Sequence, residues 1–99
     1  MQPLNLNLIT ATLRRHLPPL AQRYQVASFG VFGSYARNEQ DQDSDVDILV
    51  TFTEPPGLLR YIELENYLSD LLGIPVDLVM QEALRPALRE QVQNEIVVI

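Results

Sequence analysis

The chain has 99 residues, carries a formal net charge of −6 and contains no cysteine. At this length we expect residues 1–99 to form a single domain with one modest core and little room for a second, substrate-selecting domain. The lack of cysteine excludes disulfides, thiolate catalysis and cysteine-ligated metals. The acidic balance argues against nucleic acid as a bulk partner, because such binding usually needs a basic surface.

The basic residues are all arginine, seven in number, and the chain contains no lysine. This composition excludes a P-loop lysine and Schiff-base chemistry. Any contact with a phosphate must therefore come from arginine, from a hydroxyl or from backbone N–H groups. No stretch approaches a membrane span and the N-terminus lacks the pattern of a signal peptide, so we expect a cytoplasmic protein.

The first half of the chain predicts a helix followed by two strands. Apolar residues recur at helical spacing from Leu4 to Tyr24, and the Pro18-Pro19 pair is expected to break or kink this helix. The apolar runs Val26–Phe32 and Ile48–Phe52 predict two strands. The segment between the two strands reads as a Gly-Ser turn, a short helix and an acidic loop.

The second half of the chain begins with a turn at 54–57 and a predicted helix from Leu58 to Leu72, which Gly73 should end. The inner side of that helix is predicted to consist of Leu58, Ile62, Leu68, Leu71 and Leu72. The remaining predicted elements are a strand at Pro75–Met80, a short helix from Arg85-Pro86 to about Gln91 and a terminal strand at Ile96–Ile99. Helices that alternate with mostly apolar strands predict an α/β or α+β fold with the helices on one side of the sheet.

The Gly33-Ser34 turn after the first strand is a candidate phosphate-binding site. Glycine lets the backbone approach a ligand closely, the following helix would offer unpaired N–H groups, and the Ser34 hydroxyl is a further donor. Arg37 lies three residues after Ser34 on the same helical face, where it could reach a phosphate or brace a cluster of carboxylates. The alternative is an ordinary helix capped by Ser34, which the turn by itself would favour.

Asp45 and Asp47 stand at the start of the second predicted strand. Residues two apart on a strand point to the same face, about 6–7 Å from each other, and two carboxylates at that distance repel each other unless a cation lies between them. The pair therefore predicts a divalent metal site, with an acidic loop that runs into a strand as the alternative. Asp77 lies within the apolar strand 75–80, which makes it either a third metal ligand or an edge-strand residue that faces water.

Gly33-Ser34, followed after ten residues by Asp45-Val46-Asp47, resembles the signature of the DNA polymerase β-like nucleotidyltransferase superfamily. The Gly-Ser-Tyr-Ala-Arg sequence at 33–37 and the strand at 75–79 resemble the minimal nucleotidyltransferase (MNT) branch, and the resemblance covers most of the chain. It implies a polymerase β-like fold with a mixed sheet and helices packed mainly on one face. Where that family commonly has glycine, this chain has Asn38, which tolerates the left-handed backbone conformation better than most residues.

The resemblance also implies a mechanism. ATP would bind with its phosphates on the Gly-Ser turn, two Mg²⁺ ions would be held by the three aspartates, and Asp77 is also a candidate to accept the proton of the acceptor. The residues implied to contact the nucleotide are Gly33, Ser34 and Arg37. The residues implied to ligate the metal and to carry catalysis are Asp45, Asp47 and Asp77.

Stand-alone members of this branch are typically antitoxins paired with a ribonuclease toxin of the HEPN-domain class. The resemblance therefore implies that the chain transfers AMP from ATP to a hydroxyl, expected to be that of a tyrosine, on a HEPN-domain toxin. Two other functions stay open: a binding module that neutralises its partner by occlusion alone, and a transferase that acts on a small molecule. The acidic surface would suit docking onto a basic partner.

Overall fold

The computed structural model describes residues 4–99, so residues 1–3 of the predicted single domain lie outside the described part. The described residues form, in chain order, α1 (Leu6–Tyr24), β1 (Val26–Phe32), β2 (Val46–Phe52), α2 (Leu58–Leu72), β3 (Val76–Met80), α3 (Pro86–Glu95) and β4 (Val97–Val98). A 3₁₀ turn at Gln81–Ala83 connects β3 to α3. Within residues 4–99, no helix is both long and apolar enough to cross a membrane.

The strands form one mixed sheet in the order β3-β2-β1-β4. β1 runs antiparallel to both β2 and β4, whereas β2 and β3 are parallel and are connected through α2. This mixed sheet with its helices confirms the predicted fold class. Because β2 and β3 run in the same direction, their first residues lie at the same end of the sheet. The predicted acids lie at this end.

The main core lies between the sheet and the pair of helices α1 and α2. Side chains alternate between the two faces of a strand, and in β2 the side chains of Val46, Ile48 and Val50 are fully buried in this core. Asp47 and Leu49 therefore point to the opposite face, where both are half-buried. The alternation that fills the core is what turns the Asp47 carboxylate away from it.

The predicted break at the proline pair is wrong, because α1 runs without interruption through Pro18 and Pro19. Each proline lacks the N–H that would bond the carbonyl four residues earlier, which belongs to Arg14 or Arg15. Both prolines and both arginines are exposed, so water can satisfy the freed carbonyls. The helix is held against the sheet by buried residues, which are Ile9, Thr10, Leu13, Leu20 and Tyr24.

The bounds of α2 agree with the prediction, but its predicted inner side is partly wrong. Gly73 ends the helix in the left-handed conformation, with φ of 76°. The residues of α2 that are buried are Leu64, Leu68 and Leu72, and Leu71 is half-buried. Leu58 and Ile62 are instead 73% and 43% exposed. Ile62 lies two residues before Leu64, which at 3.6 residues per turn is about 200° around the helix.

The C-terminal segment differs from the prediction in both of its elements. α3 extends beyond Gln91 to Glu95, and β4 consists only of Val97–Val98. Ile96, between the two elements, lies over Gly30 of β1, since a Cβ on that glycine would be 2.4 Å from Ile96 Cδ1. The absence of a side chain at Gly30 therefore leaves space for Ile96 on the sheet. As a result Glu95, the residue before Ile96, lies close to the end of β1.

Backbone groups on the free edge of β3 are bonded by side chains of α2. The Val76 N–H donates to Ser69 Oγ at 2.9 Å, and the Leu78 N–H donates to Glu65 Oε2 at 2.9 Å. The Tyr61 hydroxyl donates to the Leu78 carbonyl. Residues spaced by four lie in one row along a helix, and this row covers an edge that would otherwise be open to pairing with another chain. It also fixes the strand that carries the third predicted acid.

Replacing both prolines of α1, in the variant Pro18→Ala with Pro19→Ala, should stabilise the protein. Proline inside a helix costs about 3 kcal/mol relative to alanine, and its restriction of the unfolded chain offsets part of that cost. We therefore expect the free energy of unfolding to rise by about 1–3 kcal/mol, measured by urea unfolding followed by circular dichroism. Gln22→Ala, at another exposed position of α1, should change it by less than about 0.5 kcal/mol. A double variant no more stable than the original would contradict this account of α1.

Candidate active site

Gly33 brings the turn after β1 into direct contact with Asp47 of β2. Phe32, the last residue of β1, pairs with Asp47 in the sheet, so the turn begins next to this acid. Gly33 has a φ of 78°, a left-handed conformation that glycine adopts without strain. A Cβ placed on Gly33 would lie 2.1 Å from Asp47 Oδ2. Position 33 therefore requires glycine for two reasons: the left-handed backbone conformation, and the lack of space for a Cβ beside Asp47.

The segment after Gly33 forms one closed turn rather than the predicted short helix. The Arg37 N–H donates to the Gly33 carbonyl at 3.1 Å, and the Glu39 N–H donates to the Ser34 carbonyl at 2.9 Å. Asn38 takes the left-handed conformation, with φ of 59°, as the residue after the last turn of a Schellman motif does. The expectation that Asn38 tolerates the left-handed backbone conformation is therefore confirmed.

Ser34 stands at the beginning of this turn and is half-buried. The alternative reading of Ser34 as the cap of an ordinary helix is wrong, because no helix follows it. Its hydroxyl is a possible donor to a ligand, carried by the residue that follows Gly33.

The sheet brings two of the three predicted acids side by side. Asp47 and Asp77 are direct partners in the parallel pairing of β2 with β3, and neighbouring strands lie about 4.8 Å apart. Asp45 directly precedes β2. Asp77 and Asp45 are exposed, whereas Asp47 is half-buried. Asp77 thus faces water, as the edge-strand alternative predicted, and its register nevertheless places it next to Asp47.

These surroundings raise the pKa of Asp47 to about 6. Burial contributes most, the negative charges of Asp77 and Asp45 add to it, and the positive charge of Arg37 opposes it. Neighbouring like charges and burial both disfavour the ionised form of a carboxyl. At neutral pH the ionised Asp47 is therefore destabilised unless a cation balances the three carboxylates.

The three aspartates fit a magnesium ion by their chemistry, although the ligand geometry is not formed. Within residues 4–99, no three acidic, histidine or cysteine side chains converge closely enough to make a ready metal-binding group. The donors are nevertheless all carboxylate oxygens, which Mg²⁺ prefers. Asp45 and Asp77 are exposed and free to reorient, and a cation would relieve the repulsion that raises the pKa of Asp47.

Arg37 pairs with two glutamates rather than with the aspartates. Its Nη1 donates to the two carboxylate oxygens of Glu95 at 3.0 and 3.1 Å, and its Nε donates to Glu39 at 3.1 Å. Glu95 also accepts the Gly33 N–H, and its side chain is 11% exposed. Burial by itself would raise the pKa of Glu95, but the hydrogen bonds from Gly33 and Arg37 outweigh burial and lower this pKa.

Glu95 is the site residue that the sequence analysis missed. No fixed spacing links it to Arg37, which precedes it by 58 residues, and the predicted end of α3 fell short of it. One signal was present: Glu95 directly precedes the apolar terminal segment, where a helix was expected to end nearby. A negative charge at the C-terminal end of a helix is unfavourable, so an acid there indicates a partner elsewhere in the fold.

A glycine turn lies against an aspartate, with two further aspartates at the same end of a mixed sheet, which is the arrangement that the resemblance to the nucleotidyltransferases implies. The family model described as a nucleotidyltransferase domain matches residues 13–99. The chain therefore belongs to the nucleotidyltransferase domain family and is an enzyme of that class.

Individual relatives agree with the family. The protein adenylyltransferase MntA of Thermococcus cleftensis is 48% identical over 99 residues, which is 100% of both chains. A solved structure described as a minimal nucleotidyltransferase matches with a TM-score of 0.78 and 39% identity, over 98% of each chain. The resemblance to the minimal nucleotidyltransferase branch is thereby confirmed.

Two solved complexes contain similar chains. A toxin–antitoxin complex with AMP-PNP has a chain that matches with a TM-score of 0.68 and 29% identity, over 96% of this chain and 72% of that one. A complex of a tri-AMPylated HEPN toxin with an MNT antitoxin, from Shewanella oneidensis, has a chain that matches with a TM-score of 0.58 and 26% identity. That match covers 93% of this chain and 66% of the other.

Replacing Asp47 by asparagine should stabilise the metal-free protein at about pH 8 and have little effect at about pH 4. The pKa of Asp47 is raised to about 6 in the folded protein, so the folded state binds this proton more tightly than the unfolded chain. The stability linked to that proton is fully present below the ordinary aspartate pKa and is lost as the pH rises through about 6. Because the side chain is only half-buried, we expect a gain of about 1 kcal/mol at the higher pH.

Urea unfolding in EDTA at the two pH values measures this difference. Glu54→Gln, at an exposed position between β2 and α2, is the control and should show no such pH-dependent gain. If Asp47→Asn changed the free energy of unfolding by the same amount at both pH values, the pKa of Asp47 would not be raised in the folded protein.

Proposed function

We propose that this protein transfers AMP from ATP to a hydroxyl of a partner protein, and that the partner is a HEPN-domain toxin which it neutralises as an antitoxin. The observation that carries the proposal is the contact of the Gly33 backbone with the Asp47 carboxylate, beside Asp77. A phosphate-binding turn and metal-binding carboxylates must adjoin if one nucleotide is to be bound and activated in the same place.

The turn and its arginine would bind the triphosphate. Ser34 and the backbone N–H groups of the turn are neutral donors, and Arg37 supplies guanidinium N–H donors, the only cationic donors that a chain without lysine provides here. Asp45, Asp47 and Asp77 would hold two Mg²⁺ ions, which supply charge neutralisation at the phosphates and favour deprotonation of the acceptor hydroxyl.

The proposed transfer needs no further reactant. The acceptor oxygen forms a bond to the α-phosphorus of ATP, the bond between that phosphorus and the bridging oxygen of the β-phosphate breaks, and pyrophosphate leaves. The proton of the acceptor passes to Asp77, which is exposed and can therefore be approached by a macromolecular substrate. We propose tyrosine as the acceptor, because a phenol, with a pKa of about 10, gives up its proton more readily than an aliphatic hydroxyl.

Several observations support a protein as the acceptor. The site lies at an exposed end of the sheet, where Asp45 and Asp77 face water and a macromolecule can approach them. The net charge of −6 would favour a basic partner. Similar chains occur in complexes named for a toxin and an antitoxin, one of them with an AMPylated HEPN toxin. We place the reaction in the cytoplasm, where ATP and Mg²⁺ are available.

The strongest rival is a binding module that neutralises its partner by occlusion alone. Occlusion does not require three neighbouring carboxylates, one of which, that of Asp47, has its pKa raised to about 6. Strongly perturbed carboxyls in an exposed site favour a catalytic role. A transferase acting on a small molecule would need a pocket that encloses its substrate at the aspartates, whereas Asp45 and Asp77 are exposed.

Intact-mass spectrometry of a co-expressed HEPN-domain protein, incubated with this protein, ATP and Mg²⁺, tests the proposal. We expect the partner to gain one or more AMP units. Asp45→Asn combined with Asp47→Asn should reduce the transfer by at least about 100-fold, because the acids of such a site act as a unit. The complex between the two proteins should still form, since the change affects only the site.

The matched control is Glu54→Gln combined with Glu82→Gln. These changes remove the same charge from exposed residues that follow β2 and β3, beyond the strand ends that are remote from the aspartates. A stable complex without any gain of mass would favour occlusion, and no complex at all would favour a small-molecule acceptor. Continued transfer by the aspartate variant would show that the site has been assigned to the wrong residues.

A further inference from the structure

The Glu95 carboxylate lies in the site but has no part in the proposed transfer. It belongs to the last residue of α3, whereas the groups that it binds belong to the turn after β1. The dipole of α3 opposes a negative charge at this end of the helix. Glu95 also lies close enough to Asp47 to contribute to the unfavourable charge around that residue. A carboxylate that is only 11% exposed in such a place requires a compensating contact.

Gln91 Nε2, on the same helix, donates to Glu95 at 3.4 Å, and the shorter compensating contacts come from the Gly33 turn and Arg37. Glu95 Oε2 accepts the Gly33 N–H, and both oxygens of Glu95 accept from Nη1 of Arg37, at 3.0 and 3.1 Å. One carboxylate therefore fixes the guanidinium relative to the backbone of the glycine turn. The link joins the C-terminal end of α3 to the turn at the end of β1, elements that are distant in sequence.

Arg37 keeps donors available for a ligand while it is held in this way. A guanidinium has five N–H donors in a planar fork. Glu39 accepts from Nε and Glu95 accepts from Nη1, and among residues 4–99 no hydrogen bond or ion pair involves Nη2. The side chain of Arg37 is 37% exposed, so an anion can approach it.

We propose that Glu95 is a positioning residue for ATP, which clamps Arg37 to the Gly33 turn so that the guanidinium and the Ser34 hydroxyl receive the triphosphate as one preformed cradle. This inference rests on the proposed function and deepens it. An arginine that is already fixed loses less rotamer freedom when the nucleotide binds, and an ordered donor fork is better placed for phosphate oxygens than a mobile one.

Isothermal titration of the full chain with AMP-PNP and Mg²⁺ tests the inference without an acceptor protein. Glu95→Ala should weaken AMP-PNP binding about tenfold, and Glu95→Gln, which keeps one acceptor oxygen, about threefold. Glu90→Gln, at an exposed position of the same helix, is the matched control and should bind as the original does. Glu95→Gln also serves if the alanine variant folds poorly.

A double-mutant cycle with Arg37→Ala separates positioning from a general structural role. If Glu95 acts through Arg37, Glu95→Ala should weaken binding by no more than about twofold once the guanidinium has been removed. An equal loss in both backgrounds would show that Glu95 only supports the fold, and it would overturn the inference. Tighter binding by Glu95→Ala would also overturn it, because the carboxylate would then be occupying the place of a phosphate.

The experiment also distinguishes this inference from the function on which it rests. If the original chain did not bind AMP-PNP at all, the proposed function would fail and the inference with it. If the original chain binds and the Glu95 variants bind equally well, only the positioning role is overturned.

Discussion

The contact between the Gly33 backbone and the Asp47 carboxylate is the constraint on which the rest of the site depends. It leaves no room for a Cβ on the glycine, and it exists only in the observed register of β1 with β2. A slip of one residue would turn Asp47 into the core and Ile48 out of it. Since Ile48 is fully buried among apolar side chains, such a slip would both bury a charge and expose a large apolar residue. The core on one face of the sheet thus determines where the acid lies on the other.

The second acid is placed by a different set of contacts. β3 is an edge strand, and edge strands are held by pairing on one side only. Here the row of side chains on α2 that bonds the outer backbone groups of β3 supplies the other side. This row prevents β3 from sliding along β2, and Asp77 consequently stays level with Asp47. Asp47 and Asp77 belong to strands that are separated in sequence by α2, and the pairing of β2 with β3 places them side by side.

Much of this arrangement could be predicted from the sequence. The α/β class and the bounds of α2 followed from apolar periodicity and end signals, whereas the mixed sheet and the grouping of the glycine turn with three aspartates were implied by the resemblance to the nucleotidyltransferase superfamily. Local rules failed where tertiary contacts outweigh them. The prolines of α1 were expected to break or kink the helix, but it continues through them, because buried residues hold it against the sheet and the exposed carbonyls that lose their partners are open to water. The partner of Glu95 could not be predicted, because the acid at the predicted helix end indicates only that some partner exists, whereas the contact with Gly33 and Arg37 arises from the fold and from no spacing in the chain.

The charges of the site indicate how nucleotide binding would be controlled under the proposed function. Arg37 is already paired with Glu39 and Glu95, so it brings little net positive charge to the turn, and the nearby aspartates add negative charge. Free ATP, itself an anion, would be repelled by such a site. The nucleotide would therefore bind well only together with the cations that the aspartates need for the same electrostatic reason. The glutamates that hold the arginine would in this way keep its donors in place for the nucleotide without making the site attractive to other anions, because an anion without bound metal would still be repelled by the carboxylates.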